Sequence, residues 1–126
     1  MAIINTFKYI TTGKAEIPMD TLAGTIPEGI NDVQKLLAIL KDQLSFPDYF
    51  GFNWSALSDC LRDLHWIKEQ HVYLIHQDLP SLNPTDMKNY LSVLDECVRS
   101  WKLGDNHSLT VIFPESSRPH IEQMNV

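Results

Sequence analysis

The chain has 126 residues, enough for one domain with its own core and too few for two ordinary ones. Hydrophobic residues make up 44% and charged residues 21%, which excludes a disordered chain or a fibre, and no window holds the roughly 20 apolar residues of a membrane helix. Ten Lys and Arg against 16 Asp and Glu leave a formal charge of −6 with the cations scattered singly, so a nucleic-acid or membrane partner is not expected and a basic protein partner fits better.

Residues 1–20 alternate weakly around Gly13 and Pro18 and read as an N-terminal extension holding a short edge strand or a hairpin. Met1 to Tyr9 lacks a cationic start followed by a long apolar run, so no secretory signal is expected and the chain is read as cytoplasmic. In that reducing setting Cys60 and Cys97, each within an apolar helical pattern, are expected as two buried thiols. Thr21 to Ile26 is a short apolar strand closed by the turn signal Pro27-Glu28-Gly29. Asn31 then caps a first helix, with Gln34 completing a capping-box pattern. Val33, Leu36, Leu37, Leu40 and Leu44 repeat at helical spacing until Pro47, because the residue before proline avoids the helical region.

The loop Phe46-Pro-Asp-Tyr-Phe-Gly-Phe-Asn-Trp is aromatic, and Asn53 caps a second helix reaching about Leu64. At about 100° per residue, Trp54, Leu57, Cys60, Leu61 and Leu64 share one side of that helix. Ser55, Ser58, Asp59, Arg62 and Asp63 share the other. Val72 to Ile75 is a buried strand flanked by His71 and His76, which five residues apart point to opposite faces. Asn83-Pro84 starts a third helix, carried by Met87, Tyr90, Leu91, Leu94, Val98 and Trp101 and stopped by Gly104. Leu109 to Phe113 is the last strand, and residues 114–126 are expected as a loosely ordered polar tail. Strands alternating with helical crossovers predict an α/β domain over residues 21–113 with a parallel sheet packed by helices.

Motifs for chemistry are absent. The histidines show no metal-ligand spacing, Cys60 lies on the apolar side of its helix, and no phosphate-cradling glycine loop or nucleophile elbow occurs. No enzyme, cofactor or metal is expected. The segment from Phe46 to Asp63 stands apart: an aromatic loop feeds a helix with outward carboxylates, a pattern suited either to core plus soluble surface or to a binding face for a cationic protein.

That segment, Leu44-Ser-Phe-Pro-Asp-Tyr-Phe-Gly-Phe-Asn-Trp-Ser-Ala-Leu-Ser-Asp-Cys-Leu, resembles the barstar family, small intracellular inhibitors of secreted ribonucleases. The family pattern of Pro, acid, Tyr-aromatic-Gly-x-Asn and Ala-Leu-x-Asp-Cys-Leu is met without a gap. The resemblance implies a barstar-like fold, a small three-stranded parallel sheet with helices on its faces, and occlusion of a nuclease active site by the second helix and its preceding loop. It implies Asp59 as the dominant anionic anchor, Tyr49 as the aromatic packing on a catalytic His, and Gly51 and Asn53 as shapers of the contact. Gly51 could equally serve a positive φ. Glu96 on the third helix corresponds to a second acidic contact.

The departures fall in the same region. Ser55 stands for the family's first acid on this helix, Ser58 for an aromatic, and Arg62 and Asp63 for small residues, while Phe50 lacks a tyrosine hydroxyl. Tyr49, Phe50, Gly51, Asn53, Ser55, Ser58, Asp59, Arg62, Asp63 and Glu96 are thus the candidate partner-binding residues. The implied partner is a cognate basic toxin, a ribonuclease first and a non-nuclease toxin as the alternative, held 1:1 in the producer's cytoplasm during bacterial competition.

Overall fold

Short β-rich runs separated by helices assemble into an all-parallel sheet of spatial order β1-β4-β3-β2. The computed structural model describes residues 6–11 and 16–124. Its strands are β1 (Lys8–Ile10), β2 (Thr21–Ile26), β3 (His71–His76) and β4 (Ser108–Pro114). Its helices are α1 (Val33–Leu44), α2 (Trp54–Asp63), α3 (Pro84–Ser100) and α4 (Arg118–Met124), the last preceded by a single 3₁₀ turn, Glu115–Ser117.

The parallel α/β architecture follows the sequence pattern, but among the described residues the sheet has four strands rather than three. The extra strand is β1, paired with β4 in the register Lys8↔Ile112, Tyr9↔Phe113 and Ile10↔Pro114. It is an edge strand, as one of the two expectations for residues 1–20 had it. Its parallel partner lies at the far end of the chain; residues 1–5 and 12–15, with the Gly13 turn on which the hairpin alternative falls, lie outside the described residues. Phe7 secures this edge by packing on Phe113 with ring centroids 5.2 Å apart, and the Thr6 hydroxyl donates to the buried Asp95 at 2.7 Å.

The resemblance implied helices on the faces of the sheet, and among the described residues α1 and α3 lie on the same one. Gly24, Leu74 and His76 share a side of the sheet by register. A Cβ on Gly24 would stand 2.9 Å from Leu44 of α1, and the His76 ring meets Tyr90 of α3, so both helices lie on that side. Right-handed crossovers through β2, β3 and β4 in steady order place them there. Leu36, Leu37, Leu40, Leu57, Leu61, Leu91 and Leu94 fill the layer between, all fully buried. Within it, His76 stacks on Phe113 at 3.9 Å; its Nδ1–H donates to the Ile112 carbonyl at 3.0 Å and its Nε2 accepts from the Tyr90 hydroxyl at 2.6 Å.

Three local expectations shift. The cap of α1 is Asp32 rather than Asn31, its carboxylate accepting from the Lys35 N–H at 2.9 Å; a charged acceptor is favoured at the positive end of the helix. Asn83 caps α3 as expected, accepting from the Asp86 N–H at 2.8 Å. That helix stops at Ser100, before Gly104, because Trp101 turns extended and its indole donates to the Leu61 carbonyl at 2.9 Å. The tail is not loose through residue 124: α4 buries Ile121, and Arg118 lies over the Tyr9 ring at 5.2 Å.

Candidate protein-binding surface

The loop between α1 and α2 is shaped by aromatics that turn inward. Ser45 ends α1 at φ 55, the Phe46 N–H reaches the Lys41 carbonyl, and the Phe50 N–H closes a turn onto Pro47. Phe46 packs against Phe50 at 4.9 Å and edge-on against Trp66 at 5.9 Å, and the Trp66 indole donates to the Leu44 carbonyl at 3.0 Å. Phe50 is therefore core, 4% exposed, and the candidate contact at this position is corrected to a loop anchor. The neighbours it leaves outside are Tyr49, 68% exposed, and Phe52, 37% exposed.

The backbone of this loop also differs from expectation. The left-handed residue is Phe52, at φ 52, and not Gly51. A non-glycine residue there carries strain of order 1 kcal/mol, held by tilted packing on Phe50 at 5.0 Å and by Gln34, whose amide donates to the Phe52 carbonyl at 3.3 Å. A Cβ on Gly51 would meet Asn53 Nδ2 at 3.4 Å and Ala56 at 3.6 Å, ordinary contacts, so packing within the chain does not require glycine there. Asn53 spends its amide locally: Oδ1 accepts from the Ala56 N–H at 2.7 Å as the cap of α2, and Nδ2 donates to the Gly51 carbonyl at 3.2 Å.

Helix α2 separates its two sides as its periodicity predicts. Leu57, Cys60 and Leu61 are buried, whereas Ser55, Asp59, Arg62 and Asp63 are exposed and Ser58 is half-buried. The inner side is fastened to α3 at successive points. Trp54 packs on Tyr90 at 5.8 Å, the Cys97 thiol lies 3.7 Å from the Ser58 carbonyl, and Trp101 bonds Leu61. These contacts ascend together along both helices, so the two run in the same direction. Ser58 is consequently turned partly toward α3 rather than fully outward.

The charges on the outer side fall into distinct situations. Asp59 forms no ion pair or hydrogen bond among the described residues. Asp63 is held by His65 Nδ1 at 2.8 Å. Arg62 reaches across to Glu96 of α3 at 3.5 Å, joining two of the sequence candidates from different helices. Partial desolvation, with the Asp63 carboxylate and Cys60 nearby, raises the Tyr49 phenol. Burial, reinforced by Asp63 and Asp59, pushes the Cys60 thiol up to about 11, and burial also raises Cys97, so neither is a thiolate nucleophile at neutral pH. Among the described residues no group of three His, Cys, Asp or Glu could hold a metal ion.

A family model described as Barstar (barnase inhibitor) matches residues 26–114. The chain belongs to the barstar family. The match spans more than two-thirds of the chain and takes in the whole α1–α2 segment, α3 and β4, whereas β1, the 3₁₀ turn and α4 lie outside it. No curated protein matches the chain. No helix among the described residues is long and apolar enough to cross a membrane.

Sequence reasoning missed the Arg62–Glu96 pairing, since it joins residues on different helices, and the use of Asn53 as a two-ended loop clamp. The cap signal for Asn53 was visible; its second bond to Gly51 depends on the loop closing.

Proposed function

We propose that this barstar-family chain is an immunity protein that binds a basic toxin, a ribonuclease, and blocks its active site with α2 and the Tyr49 loop. The observation that carries the reading is Asp59. It is an exposed carboxylate with no internal partner among the described residues, on the outer side of a helix whose inner side joins the core and whose preceding loop carries the exposed Tyr49. A ribonuclease must gather cations to hold RNA, so a rigid anion offered at that place meets a field the enzyme already possesses. Tyr49 adds contact area with few rotors to freeze. The family description, barnase inhibitor, and the net charge of −6 support the same chemistry.

Gly51 fits this reading. It is exposed, and a methyl group there would make only ordinary contacts with Asn53 and Ala56, so a partner's close approach is a better reason for glycine than packing within the chain. Ser55 and Arg62 favour a second reading, in which the same scaffold neutralises a toxin that is not a nuclease, because they leave the outer face of α2 less anionic than a wholly cationic pocket would select.

The test begins with immobilised protein exposed at low salt to extracts of the producing cell and its competitors. The captured partner is then assayed for RNA cleavage with and without the parent chain, Asp59→Ala and Tyr49→Ala. The proposal expects cleavage, inhibition by the parent, and strong loss of inhibition in both variants with the fold kept. Undiminished inhibition by both variants would remove Asp59 and Tyr49 from the site; a partner without nuclease activity would favour the second reading.

A further inference from the structure

A groove of about 740 Å³ opens where α2 and α3 end, between the last turn of α2, the segment after it and the α3–β4 loop. Its edge includes Arg62 and Asp63, which also belong to the outer side of α2, so groove and helix face form one continuous surface. Trp101 and Ile67 give it apolar wall, and its polar lining carries both signs of charge.

The hydrogen bonds already made decide which sign is unspent. Of the two lining carboxylates, Asp63 is engaged by His65, and Asp105 accepts the Lys102 backbone N–H at 2.6 Å. The donors are much less committed. Lys68 has no ion-pair or hydrogen-bond partner among the described residues and keeps three N–H groups available. Arg62 holds Glu96 through one Nη2 contact at 3.5 Å, the long limit of such a bond, and also approaches the Cys97 thiol, which leaves part of its five-donor fork uncommitted. Asn106 on the opposite wall is exposed and also without a partner among the described residues. His107, beside it, has Nδ1 fixed by the Glu69 carbonyl at 2.8 Å. The groove thus sets two cationic side chains with N–H groups still free beside two carboxylates that each already hold a hydrogen bond.

We propose that this groove is an anion-accepting subsite of the interface, and that the bound protein presents a carboxylate to Arg62 and Lys68 beside the cation it presents to Asp59. The assignment to an interface rests on the reading of α2's outer face as the contact surface. Arg62 lies three residues beyond Asp59, a rise of about 4.5 Å, so the two ends of this surface demand opposite charges within one partner loop or two adjacent ones. A uniformly cationic pocket meets repulsion at Arg62 and Lys68. The cognate partner is therefore bipolar along this line, which discriminates it from other basic enzymes of the same activity.

Glutarate, a small dicarboxylate, tests the groove without any partner. In an amide chemical-shift titration of the full chain it is expected to move Lys68, Asn106 and His107 saturably, with a Kd on the order of 10 mM for so small a ligand. The shifts should vanish in the Arg62→Ala/Lys68→Ala double variant. Unmoved groove amides, or shifts that persist in that variant, overturn the subsite whatever Asp59 does. The captured partner tests the remainder. Lys68→Glu should weaken its association about tenfold, whereas Lys8→Glu, an exposed cation on the β1 edge, should not. Equal binding by Lys68→Glu and the parent overturns the partner carboxylate. Loss of the Asp59→Ala effect, by contrast, defeats the contact surface itself and leaves the glutarate result to stand alone.

Discussion

His76 makes the folded state acid-sensitive, and the size of the effect can be worked from its surroundings. The ring is 1% exposed, stacked on Phe113 and hydrogen-bonded at both nitrogens, with Tyr90 donating to Nε2. Burial drives its pKa from the ordinary 6.5 down to about 3, against a smaller opposing pull from the Ile112 carbonyl. Between those two values the unfolded chain binds the proton and the folded chain does not, so stability rises with pH across the interval. The contribution is complete above about pH 6.5 and drains as the pH falls toward 3. Lowering the pH from 7.5 to 5.5 should therefore remove between about 1 and 2 kcal/mol through this residue alone.

Urea unfolding followed by tryptophan fluorescence at the two pH values measures it, because other groups titrate alike in parent and variant. His76→Phe should flatten the pH dependence by that amount, although its absolute stability falls, since the Ile112 carbonyl and the Tyr90 hydroxyl lose their partner. Tyr90→Phe should also lose roughly 1–3 kcal/mol but keep the parent's pH dependence, because His76 stays buried and neutral. An unchanged slope in His76→Phe would refute the reasoning and would mean that the ring titrates in the fold as it does in water.

Other substitutions separate scaffold from surface. Asp59→Ala should change unfolding free energy by no more than about 0.5 kcal/mol, yet weaken partner association by at least about 2 kcal/mol, read by inhibition titration. Gly51→Ala should fold like the parent in the same urea assay, since its methyl group would meet only Asn53 at 3.4 Å and Ala56 at 3.6 Å, and should bind more weakly if the partner's close approach is what requires glycine there. Gly24→Ala should cost about 1–3 kcal/mol, because the added carbon would stand 2.9 Å from the fully buried Leu44 and 3.1 Å from Gln43 Cβ. Ile121→Ala should cost about 2 kcal/mol or more if α4 is docked as described; a loosely held tail would show no loss.

What could be read from the residues depended on how local the cause was. The leucine periodicity of α1, the two-sided pattern of α2 and the Asn83-Pro84 start of α3 are set by neighbours within a few positions, and all three helices form where those signals lie. β1 was ambiguous because three residues gain strand character only from β4, about a hundred positions away. Helix α4 carries a single fully buried side chain, too little for a periodic signal. At the candidate surface the outward set on α2 was legible from the wheel. Phe50 was not, since its fate is decided by Phe46 and, through it, by Trp66, nor was the groove, whose opposite wall comes from the α3–β4 loop.

The clamping of α2 along its inner side has an evolutionary corollary. Because Trp54, Ser58 and Leu61 hold the helix to α3 at successive points, the solvent-side positions carry little of the load of folding, the exposed Arg62–Glu96 pair included. Were the protein to serve as the proposed inhibitor, a lineage could exchange them one at a time as its partner changes, without passing through an unfolded ancestor. Under the proposed immunity role, Ser55 and Arg62 are such replaceable letters on a fixed frame, and they would follow the partner more than the shared ancestry.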